Sequence, residues 1–307
     1  MRQKLLISLL ILSILSCRKP KNDDGGITPP YFIPSPYSYP VWHPNGQILG
    51  FNHTPHKLLP NQDPIQYLDS TGFWLINTDG TNKRRVLNFQ LYTPAWSPDG
   101  TWLAYSDGAN IYKIRYNGVT FDTTQNIRLT SNGKSFFPSW NDTGDSIAFD
   151  SWEGGQYTEY RIWKMKSDGS GKIELQAGRQ PRWSGNYIYF IGSDSAGIGV
   201  FQSKTNGGIT KKIFNQPNPN QNINNLRILN NFLLLQAGGL AIYKIDINNR
   251  LFNVISNDQI DDSGFDISPQ GKIAYVLFNL KVTTTQGTIW LMNSDGSNKH
   301  QLTFNNY

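Results

Sequence analysis

Histidine and cysteine are the side chains here most able to do chemistry, and both are scarce, with four histidines and one cysteine in 307 residues. His43, His53 and His56 fall within fourteen residues of one another. His53-Thr54-Pro55-His56 sets two imidazoles three apart, a spacing that serves zinc when a helix aligns the rings. Pro55 and the loop-like composition around it deny that helix, so no metal and no other cofactor is expected. His53 and His56 stand only as candidate ligand contacts. The many Asp-Gly sites invite a reading as calcium ligands or a catalytic carboxylate pair. Asp99, Asp142, Asp168 and Asp295, however, stand in turns with Gly close behind, where Asp bonds its neighbouring backbone and Gly takes a positive φ. Their expected role is structural. Nucleophilic catalysis lacks its elbow, because no Gly-x-Ser-x-Gly occurs.

The cysteine has a different chemistry. Arg2 and Lys4 give the chain a positive start, and Leu5 to Leu15 is an uncharged apolar run of eleven residues. At about 1.5 Å per residue it covers roughly half of a hydrocarbon core about 30 Å thick, so it reads as an export signal rather than a membrane span. Ile14-Leu15-Ser16-Cys17 resembles a lipobox, with Leu15 where the pattern usually has a smaller residue. That makes Cys17 the expected site of lipidation and residues 1–16 the signal peptide. Arg18 rather than Asp follows the cysteine, which in proteins with this signal implies the outer membrane. Residues 17–36, rich in Lys, Asp, Gly and Pro, cannot pack a core and read as a solvated tether. The chain carries 28 Lys and Arg against 22 Asp and Glu. Losing Arg2 and Lys4 with the signal leaves about +4, too mild and too dispersed for a nucleic-acid partner.

Something must position these residues, and internal periodicity shows what. A unit opening with Pro-x-Trp and a turn recurs at Pro40-Val41-Trp42, Pro94-Ala95-Trp96, Pro138-Ser139-Trp140 and Pro181-Arg182-Trp183. It recurs in weaker form at Leu226-Arg227-Ile228 and Asp266-Ile267-Ser268. An independent second column, Phe73-Trp74-Leu75-Ile76, Ile111-Tyr112-Lys113-Ile114, Ile162-Trp163-Lys164-Met165, Val200-Phe201-Gln202-Ser203, Ile242-Tyr243-Lys244-Ile245 and Ile289-Trp290-Leu291-Met292, also occurs six times. Alternate residues of a strand share a face, so this column predicts strands packed on both sides. Residues 37–307 divided by six give about 45 residues per unit, the size of a four-stranded propeller blade. A lone blade buries neither apolar face, whereas six around an axis bury both. The expected fold is therefore all-β, a six-bladed β-propeller with four antiparallel strands per blade over residues 37–307.

Trp-Ser-Pro-Asp-Gly at 96–100, followed by Ile-Ala-Phe at 147–149 and Ile-Trp-x-Met-x-x-Asp-Gly at 162–169, resembles the TolB-like propeller repeat. The resemblance is specific for fold and weak for function, because this blade type accompanies many activities. TolB itself adds an amino-terminal α/β domain and is soluble in the periplasm. Here a tether stands in that place, so its partners do not carry over. Prolyl-oligopeptidase-like enzymes add a hydrolase domain of about two hundred residues, for which this chain has no room.

What remains is recognition by loops between the second and third strands and between blades, which gather at one face of the ring. The repeat tryptophans keep the period of the blades and are expected to pack them. Trp152, Glu153, Tyr157 and Tyr160 lie outside the repeat columns, in a segment running from Asp150 to Tyr160, and aromatics beside carboxylates suit a peptide or a sugar. With His53 and His56 of the long Asn52–Thr71 loop, they are the candidate ligand-binding residues. The function expected is non-enzymatic: a monomeric lipoprotein at the outer membrane that binds a protein or glycan of the cell envelope. The competing expectation is a metal-dependent polysaccharide lyase built on the propeller and using the His53 and His56 loop. The oligogalacturonate lyases, whose repeats resemble these, imply several inward-facing metal ligands, and the supply of histidine is thin.

Overall fold

Each repeat folds into a meander because its apolar residues alternate on strands and its Asp-Gly and Asn-Gly pairs supply the turns. The computed structural model describes residues 36–304 except 58–64, 153–159, 209, 217, 219–220, 239–240, 259 and 278–286. All lie in one unit, Pro34–Tyr307. Cys17, the signal and nearly all of the tether lie outside the described residues, as do Glu153 and Tyr157. Among the described residues no helix is long and apolar enough to cross a membrane.

Six four-stranded antiparallel sheets follow one another along the chain. The first holds β1 (Tyr37–Trp42) and β2 (Ile48–His53), then, after the short ribbon of β3 (His56–Lys57) and β4 (Ile65–Gln66), β5 (Gly72–Asn77) and β6 (Arg84–Leu87). The second is β7 (Tyr92–Trp96), β8 (Trp102–Ser106), β9 (Ile111–Tyr116) and β10 (Phe121–Arg128). The third is β11 (Ser135–Trp140), β12 (Ser146–Trp152), β13 (Tyr160–Lys166) and β14 (Ile173–Ala177). The fourth is β15 (Arg179–Ser184), β16 (Tyr187–Asp194), β17 (Gly197–Lys204) and β18 (Lys211–Asn215). The fifth is β19 (Ile223–Leu229), β20 (Phe232–Ala237), β21 (Ala241–Asp246) and β22 (Phe252–Ser256). The sixth is β23 (Ile260–Ile267), β24 (Lys272–Leu277), β25 (Thr288–Asn293) and β26 (His300–Gln301). The first strand of every blade touches the first strands of both neighbours, and β1 touches β23, so the ring closes. It does so without sharing a strand between the first and last sheets.

The core is six slabs rather than one mass, each an apolar cluster between adjacent blades. The second column accounts for much of it. Phe73, Ile111, Ile162, Val200, Ile242 and Ile289 are 0% exposed on one face, and Ile76, Ile114, Met165, Ile245 and Met292 are buried on the other. The boundary between blades three and four is the leanest. Its cluster has five buried members among the described residues, Ala148, Ile162, Ile188, Phe190 and Phe201, against seven to eleven elsewhere.

The openers acquire a physical meaning here. Every inner strand carries a register shift. At or beside each shift lies a left-handed residue: Tyr39 (φ 50°), Thr93 (48°), Phe137 (52°), Gln180 (54°), Asn225 (54°) and Gly264 (84°). Proline is tolerated directly after the first four because the ladder is already broken at a bulge. Neighbouring blades hold these residues in place. Phe137 N donates to Thr93 Oγ1 (3.2 Å) and Asn225 N donates to Gln180 Oε1 (2.7 Å). At the sixth position a Cβ would meet the Asn225 side chain at 2.4 Å, so only glycine fits.

In blades one, two, three and five a second set of bonds joins the fourth core position of the second strand to the start of the next blade. Asn52 Oδ1 accepts from Leu91 N and its Nδ2 donates to Leu91 O, both at 2.9 Å. Ser106 Oγ donates to Ser135 O (3.1 Å), Gln180 N donates to Asp150 Oδ2 (2.6 Å), and Gln236 Nε2 donates to Ile260 O (3.0 Å). Replacing Asn52 by leucine leaves both backbone groups of Leu91 unpaired in a buried site, a loss of about 2–4 kcal/mol. Denaturant unfolding measures it, and a loss below about 1 kcal/mol would refute the pairing.

Candidate functional site

Because strands alternate in direction, the Trp-x-Pro turns and Asp-Gly turns lie at one face of the ring. The loops between second and third strands and the inter-blade connections lie at the other. The turn aspartates serve the backbone. Asp99 Oδ1 accepts from Ser97 Oγ (2.5 Å) and Thr101 N (3.1 Å), Asp168 Oδ1 from Ser170 N (2.8 Å), and Asp295 Oδ1 from Ser297 N (2.9 Å). Among the described residues no three His, Cys, Asp or Glu side chains gather within reach of one metal ion.

The histidines are dispersed by the fold. His53 ends β2 rather than starting a loop and is 4% exposed. It stacks on Tyr37 (centroids 4.6 Å, 20°) and meets Trp74 edge-on (5.4 Å, 90°). Burial, reinforced by the nearby Lys83, pushes its pKa down to about 3. His56 is half-buried in the β3–β4 ribbon opposite Gln66. His43 lies at the far face, where Asn45 N donates to its Nδ1 (3.2 Å) and its Nε2 lies 3.3 Å from Gly100 O. An acceptor Nδ1 leaves the ring proton on Nε2, which then donates to that carbonyl. The ring as a whole sits against Trp96 at 4.7 Å.

Of the other candidates Trp152 and Tyr160 are described, and Tyr160 stands at the lean boundary. Trp152 closes β12 and Tyr160 opens β13, paired directly across the hairpin, which places both on one face of the sheet. The strands run further into the Asp150–Tyr160 segment than its polar composition implies, and Asp150 is a buried strand residue at 0% exposure. Lys134 Nζ lies 4.8 Å from the Trp152 ring. Beside Tyr160 a cleft of about 770 Å³ opens between blades three and four. Phe190, Ile191 and Phe201 give it apolar walls, and Tyr160, Arg161 and Arg179 bring polar groups. Gly178, at φ 148°, is what keeps the sheets this close, since a Cβ there would lie 2.3 Å from the Phe190 ring. Arg179 is held by Asn224 Oδ1 (2.8 Å) and Ile223 O (3.0 Å) of the next blade.

Charged residues that reading the chain left aside occupy the axis. One position of each opener, flanked by Pro and Trp in blades one to four, lines an axial cavity: Val41, Ala95, Ser139, Arg182, Arg227 and Asp266. Trp42, Trp96 and Trp140, at 4%, 8% and 7% exposure, pack between blades behind it. Asp150 is buried nearby. Burial raises its carboxyl to about 7, and the Gln180 N–H with the charges of Arg179 and Arg182 only partly opposes this. The signal was present in the column itself, whose variable member turns from small and neutral to charged in the last three copies.

A ring of six such blades is a six-bladed β-propeller. No protein-family model matches the chain. It is similar to the uncharacterized protein Atu1656 of Agrobacterium fabrum, 26% identical over 140 residues, 43% of this chain and 46% of that one. The match therefore spans about half the length of that curated relative. Among solved structures it is similar to TolB from Acinetobacter baumannii, with a TM-score of 0.65 and 16% identity over 83% of this chain and 63% of that one. It is also similar to a puromycin-hydrolyzing peptidase of Mycobacterium tuberculosis, with a TM-score of 0.59 and 10% identity over 87% and 52%. An oligogalacturonate lyase of Vibrio parahaemolyticus gives a TM-score of 0.53 and 9% identity over 87% and 77%. At these identities the likeness is one of fold, and the fold shared with all three is the β-propeller.

Proposed function

We propose that this chain is a non-enzymatic binding propeller, lipid-anchored at the outer membrane through Cys17, that holds an envelope protein or glycan on its loop face. The observation that carries the reading is the cleft between blades three and four. There an apolar wall of Phe190, Ile191 and Phe201 meets Tyr160 and two arginines beside Trp152. Aromatic and arginine anchors in a concave site are what recognition surfaces use. The Trp152, Glu153, Tyr157 and Tyr160 segment borders this cleft in sequence and is the proposed source of specificity, with Glu153 and Tyr157 outside the described residues. Burial of His53 between Tyr37 and Trp74 speaks against a metal held by His53 and His56, and with it against a lyase.

Two measurements test the proposal. Cys17→Ala is expected to move the protein from the membrane to the soluble fraction after cell fractionation, and retention on the membrane would refute the anchor. Pull-down from envelope extract together with a glycan array is expected to give a ligand for the wild type that Tyr160→Ala and Arg161→Ala both weaken by about tenfold, 1.4 kcal/mol in binding. Equal capture by the variants would move recognition away from the cleft. Stoichiometric manganese or zinc in the purified protein, lost on changing His53 and His56, would overturn the non-enzymatic reading.

A further inference from the structure

The axial cavity, about 430 Å³ and distinct from the cleft, is lined by residues of all six blades. Its walls are asymmetric in charge. Blades one to three contribute Val41, Ala95 and Ser139 at the ring position where blades four to six contribute Arg182, Arg227 and Asp266. The guanidinium groups are fixed from behind. Arg182 donates from Nε to Leu226 O (2.6 Å) and from Nη1 to Pro181 O (3.0 Å). Arg227 donates from Nη1 to the same Leu226 O (2.9 Å) and from Nε to Asp266 Oδ1 (2.6 Å). Two cations thus converge on one carbonyl. The carboxylate of Asp266 is already shared between Arg227 and Trp42 N, which donates to Oδ2 at 2.7 Å. Asp142, the other acid of the lining, is on the exposed rim and accepts from Gly185 N (3.0 Å). Among the described residues the Nη2 of each arginine has no hydrogen-bond partner.

We propose that this cavity binds an oxyanion, a phosphate or a carboxylate group, between Arg182 and Arg227. Two guanidinium groups held by backbone carbonyls and, for Arg227, by Asp266, each with its Nη2 unengaged, present charged N–H donors that match such groups. Burial disfavours the charge on Arg182 and the neighbouring Arg227 adds to the penalty, which Asp266 and Asp150 only partly offset, so an anion between the two arginines relieves it. The neutral half of the ring leaves room for the rest of a small ligand.

The test is titration of the purified full chain with inorganic phosphate and, separately, with succinate, at constant ionic strength set by chloride. Tryptophan fluorescence reports occupancy, and phosphorus NMR gives the phosphate stoichiometry. Saturable binding of at least one anion at one per chain is expected. Arg182→Gln is expected to weaken it at least tenfold. Ser139→Asp, which removes no guanidinium and adds a carboxylate to the neutral wall, is expected to weaken it by a similar factor. A preference for phosphate identifies a phosphoryl ligand and a preference for succinate a carboxylate one. Responses to both anions no greater than to chloride would overturn the proposal, as would wild-type affinity in whichever of the two variants is folded.

Discussion

Replacing Asp266 by alanine is expected to cost about 3–5 kcal/mol of folding stability, among the largest single-site losses in the molecule. Asp266 joins three blades at once: its own, the fifth through Arg227 Nε (2.6 Å) and the first through Trp42 N (2.7 Å). Removing it leaves a guanidinium without its counter-charge beside a second one, and a backbone N–H without its acceptor. Both side chains of the ion pair retain some contact with water, at 16% and 14% exposure, which places the loss toward the lower end of that range. Asp266→Asn keeps an acceptor for Trp42 N and lacks the charge, so it is expected to lose roughly half as much. Guanidinium unfolding of the three proteins measures this, and an alanine variant within about 1 kcal/mol of wild type would show that the ring closes without it.

The second large effect is a pH dependence. Asp150 is fully buried with its folded-state pKa raised to about 7, so the folded state binds a proton that the unfolded state has released above about pH 4. Its contribution is therefore most favourable at low pH and is lost as pH rises from about 4 through about 7, a change of roughly 4 kcal/mol. His53 works in the opposite sense. Its folded pKa is pushed down to about 3, so stability falls as pH drops below about 6.5, where the unfolded imidazole takes up its proton. The two trends offset one another, and wild-type stability is expected to vary little on their account between pH 4 and pH 7. Asp150→Asn separates them. Relative to wild type, the variant is expected to gain about 4 kcal/mol on going from pH 4 to pH 8, whatever constant offset its new amide N–H introduces. Denaturant curves at both pH values give that difference, and a variant whose stability tracks the wild type at both would refute the buried, protonated Asp150.

The fold was legible because its signals were redundant. Pro-x-Trp and Ile-Trp-x-Met mark different strands of the same blade, and the Leu-Thr pairs at 129–130 and 302–303 have their own task, since Thr130 Oγ1 accepts from Ile111 N of β9 and Thr303 Oγ1 from Ile289 N of β25. Six blades followed from these columns alone. The site was less legible, for two reasons. Composition marked His53 and Asp150 as polar loop residues, but β2 and β12 extend far enough to bury both, and burial rather than residue type sets their chemistry. The charged half of the axial wall was hidden for the opposite reason. Arg182, Arg227 and Asp266 occupy the variable place in a column whose proline and tryptophan, kept in four of six copies, draw attention to packing. Convergence of those three around one axis is a property of closure, which no single repeat contains.

Each blade is made from one uninterrupted stretch of chain, and Tyr37 Oη reaches the carbonyl of Phe304 at 3.4 Å across the seam between blades six and one. No interstrand hydrogen bond of any sheet depends on where that seam falls. The molecule is thus topologically a necklace whose clasp can be moved: joining the present ends by a short linker and reopening the backbone at a connection such as 129–134 would leave every blade whole. Evolution can accordingly shuffle, graft or re-order these units without unravelling a sheet, and a permuted protein with new ends would offer a way to tether the ring by a different edge.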